Sequence, residues 1–365
     1  MKSTSGTIVF PDIQTWYPNQ VAPINIVGPC SAESLDQVLA TARLIASDFP
    51  NAIFRAGVWK PRTRPGHFEG AGEIALDWLK EVQAQTNLKV VTEVATPAHL
   101  NACLKAGIDM VWIGARTTVN PFSVQELAEA FKGVDIPVFV KNPINPDLGL
   151  WIGAIERIHN AGVNRIAAIH RGFHAFESSP YRNSPRWELV IDLKSSLPGL
   201  PILCDASHIS GNPELIAGVA QKAMDLNYQG LMIETHVNPS LALSDAYQQI
   251  TPKRLKEIVD FLVLRNPDNT DELYLNRLVE LRSRVDTIDD SIIQALSQRD
   301  RLIREIGQFK KGNNVTILQL QRWEEILQRQ LSNGRSSGLS ENFIKQLYEF
   351  IHAESIRIQH EELNS

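Results

Sequence analysis

The sequence predicts a (β/α)8 barrel followed by a smaller all-helical domain. Three observations carry that expectation. Before residue 265, eight short β-rich runs alternate with segments able to form helices. Those runs are continuously apolar, as expected for strands covered on both faces. After residue 271 the apolar residues step by threes and fours instead, and there is no proline from 272 to 311. An open doubly wound sheet is the architectural alternative for the first part.

The strands are expected at 24–28, 53–58, 89–94, 110–114, 137–141, 165–170, 201–205 and 230–234. Segments such as 123–131 and 213–226 supply the intervening helices. The run Arg265-Asn266-Pro267-Asp268-Asn269-Thr270-Asp271 is polar, contains a proline and has no apolar period, so it reads as a linker. The expected domains are therefore 1–264 and 272–365, joined by 265–271. In the second domain, Leu278, Leu281, Val285, Ile288, Ile292, Leu296, Ile303 and Ile306 form one apolar stripe. As a single helix this stretch would be about 60 Å long. It cannot bury its stripe alone, which implies partner helices and a homodimer formed through this domain. Two further helices are expected at about 317–332 and 340–362, the last with Ser340 as N-cap.

Composition narrows the function classes. At 43% hydrophobic residues the chain has enough apolar surface for a core, which argues against disorder. A net charge of −5 argues against nucleic acid as the main partner. The first twenty residues lack the pattern of a secretory signal, and no apolar run is long enough to span a membrane. The three cysteines, Cys30, Cys103 and Cys204, form no disulfide framework. These features suit a cytoplasmic, reducing environment. Cys103 and Cys204 read as core residues.

The polar residues of the first domain gather where strands end, which is the catalytic face of such a barrel. Strands 7, 8 and 1 are neighbours in a closed barrel and carry His208, Glu234 and Cys30, with Asp245 in the loop beyond strand 8. One thiolate, one imidazole and two carboxylates suit a divalent Mn, Fe, Co or Zn ion. Strands 2, 4, 5 and 6 carry Arg55, Lys60, Arg62, Arg116, Lys141 and Arg171. Six cations held together call for anions, which a substrate pair rich in phosphate and carboxylate would supply. Taken singly, Cys30 is more often core and each cation a solvated rim charge. It is their coincidence at one barrel end that points to a site.

The segments GPCSAES (28–34), FRAGVWKPRT (54–63), GARTTVN (114–120), the Lys141 strand and DASHISG (205–211) resemble the 3-deoxy-D-arabino-heptulosonate 7-phosphate synthases, closest to their short type Iβ branch. The resemblance covers roughly residues 20–262. It implies a metal-dependent barrel that condenses phosphoenolpyruvate with erythrose 4-phosphate. It further implies Cys30, His208, Glu234 and Asp245 as metal ligands, and Arg55, Lys60, Arg116, Lys141 and Arg171 around phosphoenolpyruvate. Lys60, Pro61, Arg62 and Thr63 would meet the erythrose phosphate. Glu93, at the end of strand 3, is the candidate for positioning water, aided by Lys141. The sister octulosonate 8-phosphate synthases share GPC and DASH, but typically have Lys-Ala-Asn-Arg-Ser in place of Lys-Pro-Arg-Thr. The sequence departs from the commoner pattern at Asn142-Pro143, where many members have Arg-Gly.

In the helical domain, Arg299 and Lys310 lie on the apolar stripe and Arg282 lies at its edge. Cations there need anionic partners, either inter-helix carboxylates or a bound dianion. The segments 281–311, 319–325 and 353–359 resemble the small all-helical chorismate mutases. That resemblance implies a cofactor-free pocket for chorismate lined by Arg299, Lys310, Gln319, Arg322, Ser355 and Gln359, with Arg282 coming from a partner subunit. Arg299 and Lys310 would be catalytic. Trp323 stands where the family often has a carboxylate, and Gln319 where Asp is frequent. Together the two resemblances imply a bifunctional enzyme of aromatic amino-acid biosynthesis with feedback by chorismate or prephenate. The alternative is a synthase whose helical domain only dimerises and senses ligand.

Overall fold

The computed structural model describes residues 8–17, 22–60, 68–175, 179–266 and 268–364. The chain divides into two compact units, 1–267 and 268–365.

In the first unit, β1 (Ile24–Gly28), β2 (Ile53–Arg55), β3 (Lys89–Val94), β4 (Met110–Ile113), β5 (Val138–Lys141), β6 (Ile166–His170), β7 (Ile202–Asp205) and β8 (Gly230–Glu234) pair in sequence order. All neighbours are parallel, and β1 closes the barrel on β8 with Gly28 opposite Glu234. The open-sheet alternative is thereby excluded. The connecting helices are α1 (Leu35–Asp48), α2 (Ile74–Thr86), α3 (Pro97–Ala106), α4 (Ala115–Thr118), α5 (Pro121–Phe131) and α6 (Leu148–Asn160). They continue with α7 (Trp187–Ser196), α8 (Ala206–Ser210), α9 (Pro213–Asp225) and α10 (Pro252–Asp260). Side-chain caps fix several starts: Ser34, Thr96, Asn120, Asp147 and Asn212 each accept from a backbone N–H of the first turn.

Strand parity sorts the side chains. Ile24, Ile26, Ile53, Val91, Met110, Trp112, Phe139, Ala167, Ile169, Leu203 and Met232 form an inner cluster. Their alternates, including Val27, Phe54, Val90, Val111, Val138 and Ile233, pack in the cluster beneath the helices. Ile13 and Trp16 join the inner cluster, with the Trp16 ring 5.7 Å from that of Phe139. Two positions beyond the last inner apolar residue of their strands stand Arg55, Glu93, Lys141, Asp205 and Glu234. The same parity therefore turns all five into the C-terminal mouth.

The second unit holds α11 (Glu272–Gly312), α12 (Leu320–Ser336) and α13 (Glu341–Asn364). At 41 residues, α11 is about 60 Å long. Asp271 caps it and Ser340 caps α13, through bonds from Tyr274 N (2.7 Å) and Phe343 N (3.3 Å). Pairings of Arg299 with Ser355 and of Arg304 with Glu362 advance in the same direction, so α13 runs parallel to the second half of α11. Along the first half, Leu281, Val285, Ile288 and Ile292 are exposed, so one chain does not bury the stripe. Among the described residues, no helix is long and apolar enough to cross a membrane.

Candidate active sites

The barrel mouth is built on backbone features that its side chains require. Gly28 has φ +145°, and a Cβ there would lie 2.2 Å from the Arg55 carbonyl oxygen, so only glycine fits this close approach before Cys30. Gly114 faces Glu93 in the same way: a Cβ would lie 2.1 Å from Glu93 Oε1.

Cys30, Glu234 and Asp245 each place a donor atom within 4.8 Å of the others. The Cys30 thiol donates to Asp245 Oδ2 (3.2 Å), and Lys60 Nζ donates to Cys30 Sγ (2.9 Å). His208 flanks the group, with Nε2 3.8 Å from Glu234 Oε1. Its Nδ1 lies 2.9 Å from Asp205. The carboxylate thus accepts a hydrogen bond from Nδ1–H, which leaves the Nε2 lone pair on the side of Glu234. Glu234 Oε1 is buried and accepts no hydrogen bond from the described residues, although Arg55 Nη2 lies 3.2 Å away. Burial pushes the Cys30 thiol up to about 12, and the nearby Glu234 charge adds to this. Burial works against ionising Asp245, yet His208, Arg182 and Lys60 hold it below the usual carboxylate range. A thiol, an imidazole and two carboxylates converging on an unfilled acceptor fit a divalent cation.

The cations form the other half of the mouth. A cavity of about 320 Å³ is lined by Arg116, Lys141, Arg171, Arg182, His174 and His208, with Glu93 and Asp245 on its wall. Arg55 is buried and reaches across β1 to Glu234. Lys141 is buried and reaches across β6 to Asp205 Oδ2 (2.7 Å). Two of the cations predicted to need substrate anions are therefore already balanced by the protein. The Trp112 ring lies beneath both, 4.9 Å from Arg55 Cζ and 5.4 Å from Lys141 Nζ, and its Nε1 donates to Glu93 Oε2 (2.9 Å). Asn142 ties two loops together: Oδ1 accepts from Arg171 N (2.7 Å) and Nδ2 donates to Gly172 O (2.7 Å). Burial lowers Arg171 to about 10. Of the residues expected at the erythrose phosphate, Lys60 is in the mouth, and Pro61, Arg62 and Thr63 lie outside the described residues.

Several residues of the mouth were not expected. Arg182 donates to Asp245 Oδ1 (3.0 Å) and Gln248 Oε1 (2.5 Å), Asn183 accepts from Arg171 (2.8 Å), and Gln248 donates to Glu234 Oε2 (2.5 Å). They come from loops, where no periodicity marks them. Arg182-Asn183 lies in the loop that follows strand 6 and Arg171, and that proximity was the one available signal. Cys103 and Cys204 are buried on α3 and β7, away from the mouth.

In the helical unit, Arg299 donates to Ser355 Oγ (2.7 Å), and Gln359 is buried one turn further along α13. Lys310 donates to Ile317 O (2.6 Å). Lys310 and Gln319 line a largely apolar cavity of about 710 Å³ with Leu302, Ile306 and Phe309. Arg322 is exposed and pairs with Glu325 (3.0 Å), while Trp323 beside it stacks on His352 with ring centroids 4.1 Å apart. Arg299 and Lys310 are half-buried, not buried as a place on a fully covered stripe would require. Arg282 lies 17 residues before Arg299 on the same continuous helix, about 25 Å along its axis. It cannot share a pocket with Arg299 within one chain.

Comparison with known proteins assigns both units. Residues 19–265 match the DAHP synthetase I family, and residues 281–360 match chorismate mutase type II. A phospho-2-dehydro-3-deoxyheptonate aldolase from Thermotoga maritima is 31% identical over 234 residues, 64% of this chain and 67% of that protein. The crystal structure of such an aldolase from Thermotoga maritima superposes with TM-score 0.58 at 29% identity, covering 65% of this chain and 67% of that one. A bifunctional chorismate mutase/prephenate dehydratase from Buchnera aphidicola subsp. Schizaphis graminum is 37% identical over 90 residues, 24% of this chain and 23% of that protein. A 2-dehydro-3-deoxyphosphooctonate aldolase from Syntrophotalea carbinolica is 26% identical over 274 residues, 67% of this chain and 93% of that protein. The chain belongs to the DAHP synthetase I family and carries a chorismate mutase type II domain after its barrel.

Proposed function

We propose that the barrel condenses phosphoenolpyruvate with erythrose 4-phosphate to 3-deoxy-D-arabino-heptulosonate 7-phosphate and phosphate, and that the helical unit rearranges chorismate to prephenate. For the barrel, the supporting observation is one mouth in which a thiol and two carboxylates lie within 4.8 Å of one another, flanked by the His208 imidazole, beside a cavity walled by cations. Cys30, His208, Glu234 and Asp245 would hold one divalent ion. Such an ion supplies Lewis acidity to an aldehyde oxygen. Arg55, Lys60, Arg116, Lys141 and Arg171 neutralise the carboxylate and phosphate of phosphoenolpyruvate and align its methylene carbon with the aldehyde carbon. Lys60, with Pro61, Arg62 and Thr63, serves the erythrose phosphate. Carbon–carbon bond formation leaves positive character at C2 of phosphoenolpyruvate. Glu93, anchored by Trp112 and set against Gly114, orients the water that adds there, with Lys141 beside it. Phosphate then leaves by C–O cleavage. The test follows phosphoenolpyruvate with erythrose 4-phosphate and, separately, with a five-carbon sugar phosphate. Consumption with the five-carbon sugar alone would move the barrel to the octulosonate class.

For the mutase, the supporting observation is the Arg299–Ser355 pair on two parallel helices above buried Gln359. Arg299 and Arg322 would hold the carboxylates of chorismate, and Lys310 with Gln319 or Gln359 would stabilise charge on the ether oxygen. No covalent step or cofactor is required; the pocket selects the compact conformer. Arg282, about 25 Å along α11 from Arg299, would come from a second copy, and a homodimer through this unit would complete the site. Chorismate loss and prephenate appearance in wild type and Arg299→Ala test this reading. Prephenate or chorismate bound at Arg299 and Arg322 would also regulate the barrel by favouring one arrangement of the units. If deleting 266–365 leaves barrel rate and ligand response unchanged, regulation is excluded.

A further inference from the structure

Two adjacent buried amides follow β8 and have no part in the proposed reactions. Gln248 is 1% exposed and Gln249 2%. The stretch is pinned to the end of β8: Ile250 N donates to Glu234 O (3.0 Å), and His236 N donates to Ile250 O (2.9 Å). Gln248 ends a 3-10 turn (Ala246–Gln248) and Gln249 beside it is extended (φ −81°, ψ 148°), and their two amides reach different loops.

Gln248 Nε2 donates to Glu234 Oε2 (2.5 Å), and its Oε1 accepts from Arg182 Nη1 (2.5 Å). A carboxylate only accepts and a guanidinium only donates, so this amide has one orientation. Gln249 Oε1 accepts from Cys30 N (3.0 Å), and its Nε2 donates to Ser244 O (2.8 Å). It therefore ties the Cys30 loop to the residue before Asp245. Asp245 itself has φ +48°, a left-handed conformation that the surroundings must impose on a residue with a side chain. The tethered Ser244 carbonyl and a bond from Gln248 N to Asp245 O (3.1 Å) impose it.

We propose that Gln248 and Gln249 are positioning residues for the metal centre, an amide pair that sets the donor atoms of Glu234, Cys30 and Asp245 before a divalent cation binds. The inference rests on reading those three residues as ligands. A glutamate would fail at both places. At 248 it would oppose Glu234 with a like charge, and at 249 it would offer the Ser244 carbonyl no donor.

The test uses the full-length protein stripped of metal and titrated with Co²⁺ alone. A thiolate on Co²⁺ gives a sulfur-to-metal charge-transfer band, which reports Cys30 ligation independently of activity. Wild type should show the band, and Cys30→Ala should lack it. Gln248→Met and Gln249→Met, uncharged and nearly isosteric, should bind Co²⁺ about 10–100-fold more weakly, as expected when groups that orient ligands are removed. Their far-UV circular dichroism should be unchanged, and Gln249→Met should also alter the band. Wild-type affinity and band in both variants would overturn the proposal and leave the ligand reading intact. Absence of the band from wild type would overturn the ligand reading, and the proposal with it. If one variant does not fold, the other decides.

Discussion

Replacing Lys141 by methionine separates the structural from the chemical role of the barrel cations. Lys141 Nζ lies 2.7 Å from Asp205 Oδ2, with side chains only 6% and 0% exposed. Burial pushes the lysine below its ordinary pKa, so this charge is held at a cost. Removing one partner of such a pair typically costs about 3–5 kcal/mol, because the other charge stays buried and uncompensated. Here His208 keeps two donors on Asp205, Nδ1 at 2.9 Å and the backbone N at 3.2 Å. The loss should therefore fall at the low end, about 3 kcal/mol. At roughly 2–4 °C per kcal/mol for a domain of this size, the barrel midpoint should drop by about 6–12 °C. Thermal unfolding by circular dichroism measures it, alongside phosphoenolpyruvate consumption. Lys141→Met/Asp205→Asn, which removes the stranded charge and keeps an acceptor for His208, should regain most of the stability and none of the activity. An unchanged midpoint in Lys141→Met would refute the claim that the pair is desolvated. Full activity in the double variant would remove Lys141 from phosphoenolpyruvate binding.

Other outcomes follow from the same geometry. Gly114→Ala drives a Cβ into Glu93 Oε1 and should cost about a hundredfold in barrel kcat, as expected for a displacement near 1 Å, with chorismate turnover unchanged. A chelator should silence the barrel and spare the mutase. Because the Cys30 thiol titrates near 12 and must lose its proton to ligate, apparent metal affinity should rise with pH through the neutral range, which a Co²⁺ titration at several pH values measures. Arg282→Ala and Arg299→Ala chains, each inactive as a mutase alone, should recover part of that activity when mixed and reassembled. No recovery would remove Arg282 from the chorismate site.

The barrel was legible because its strands obey two strong rules, continuous apolar composition and inward parity at their ends. Strands 1, 3 and 8 have the expected limits. Strand 2 stops at Arg55 instead of 58, because beyond it Gly57 turns to pair with Ser31. The short helices α4 and α8 carry too few residues to show a period. In the mouth, charged and thiol side chains announce themselves by chemistry, which is why Cys30, Glu234, Asp245 and Lys141 stood out. Gln248, Gln249 and Asn183 did not, since an amide in a loop carries no signal until its partners are known. Trp112 carries no signal of its own in an apolar strand, although its ring and N–H serve three charged groups. The internal pairing of Arg55 and Lys141 also escaped the sequence, because Glu234 and Asp205 reach them across an intervening strand. On α11 the period gave the helix but not its cover: the stripe from Leu281 to Ile292 is exposed within one chain.

That one chain performs two separable chemistries is tested most directly by giving chorismate to full-length wild type, Arg299→Ala and Cys30→Ala, and following prephenate. Turnover in wild type and Cys30→Ala, lost in Arg299→Ala, is the predicted result. Chorismate bound but not converted by wild type would contradict it and leave the helical unit a ligand sensor.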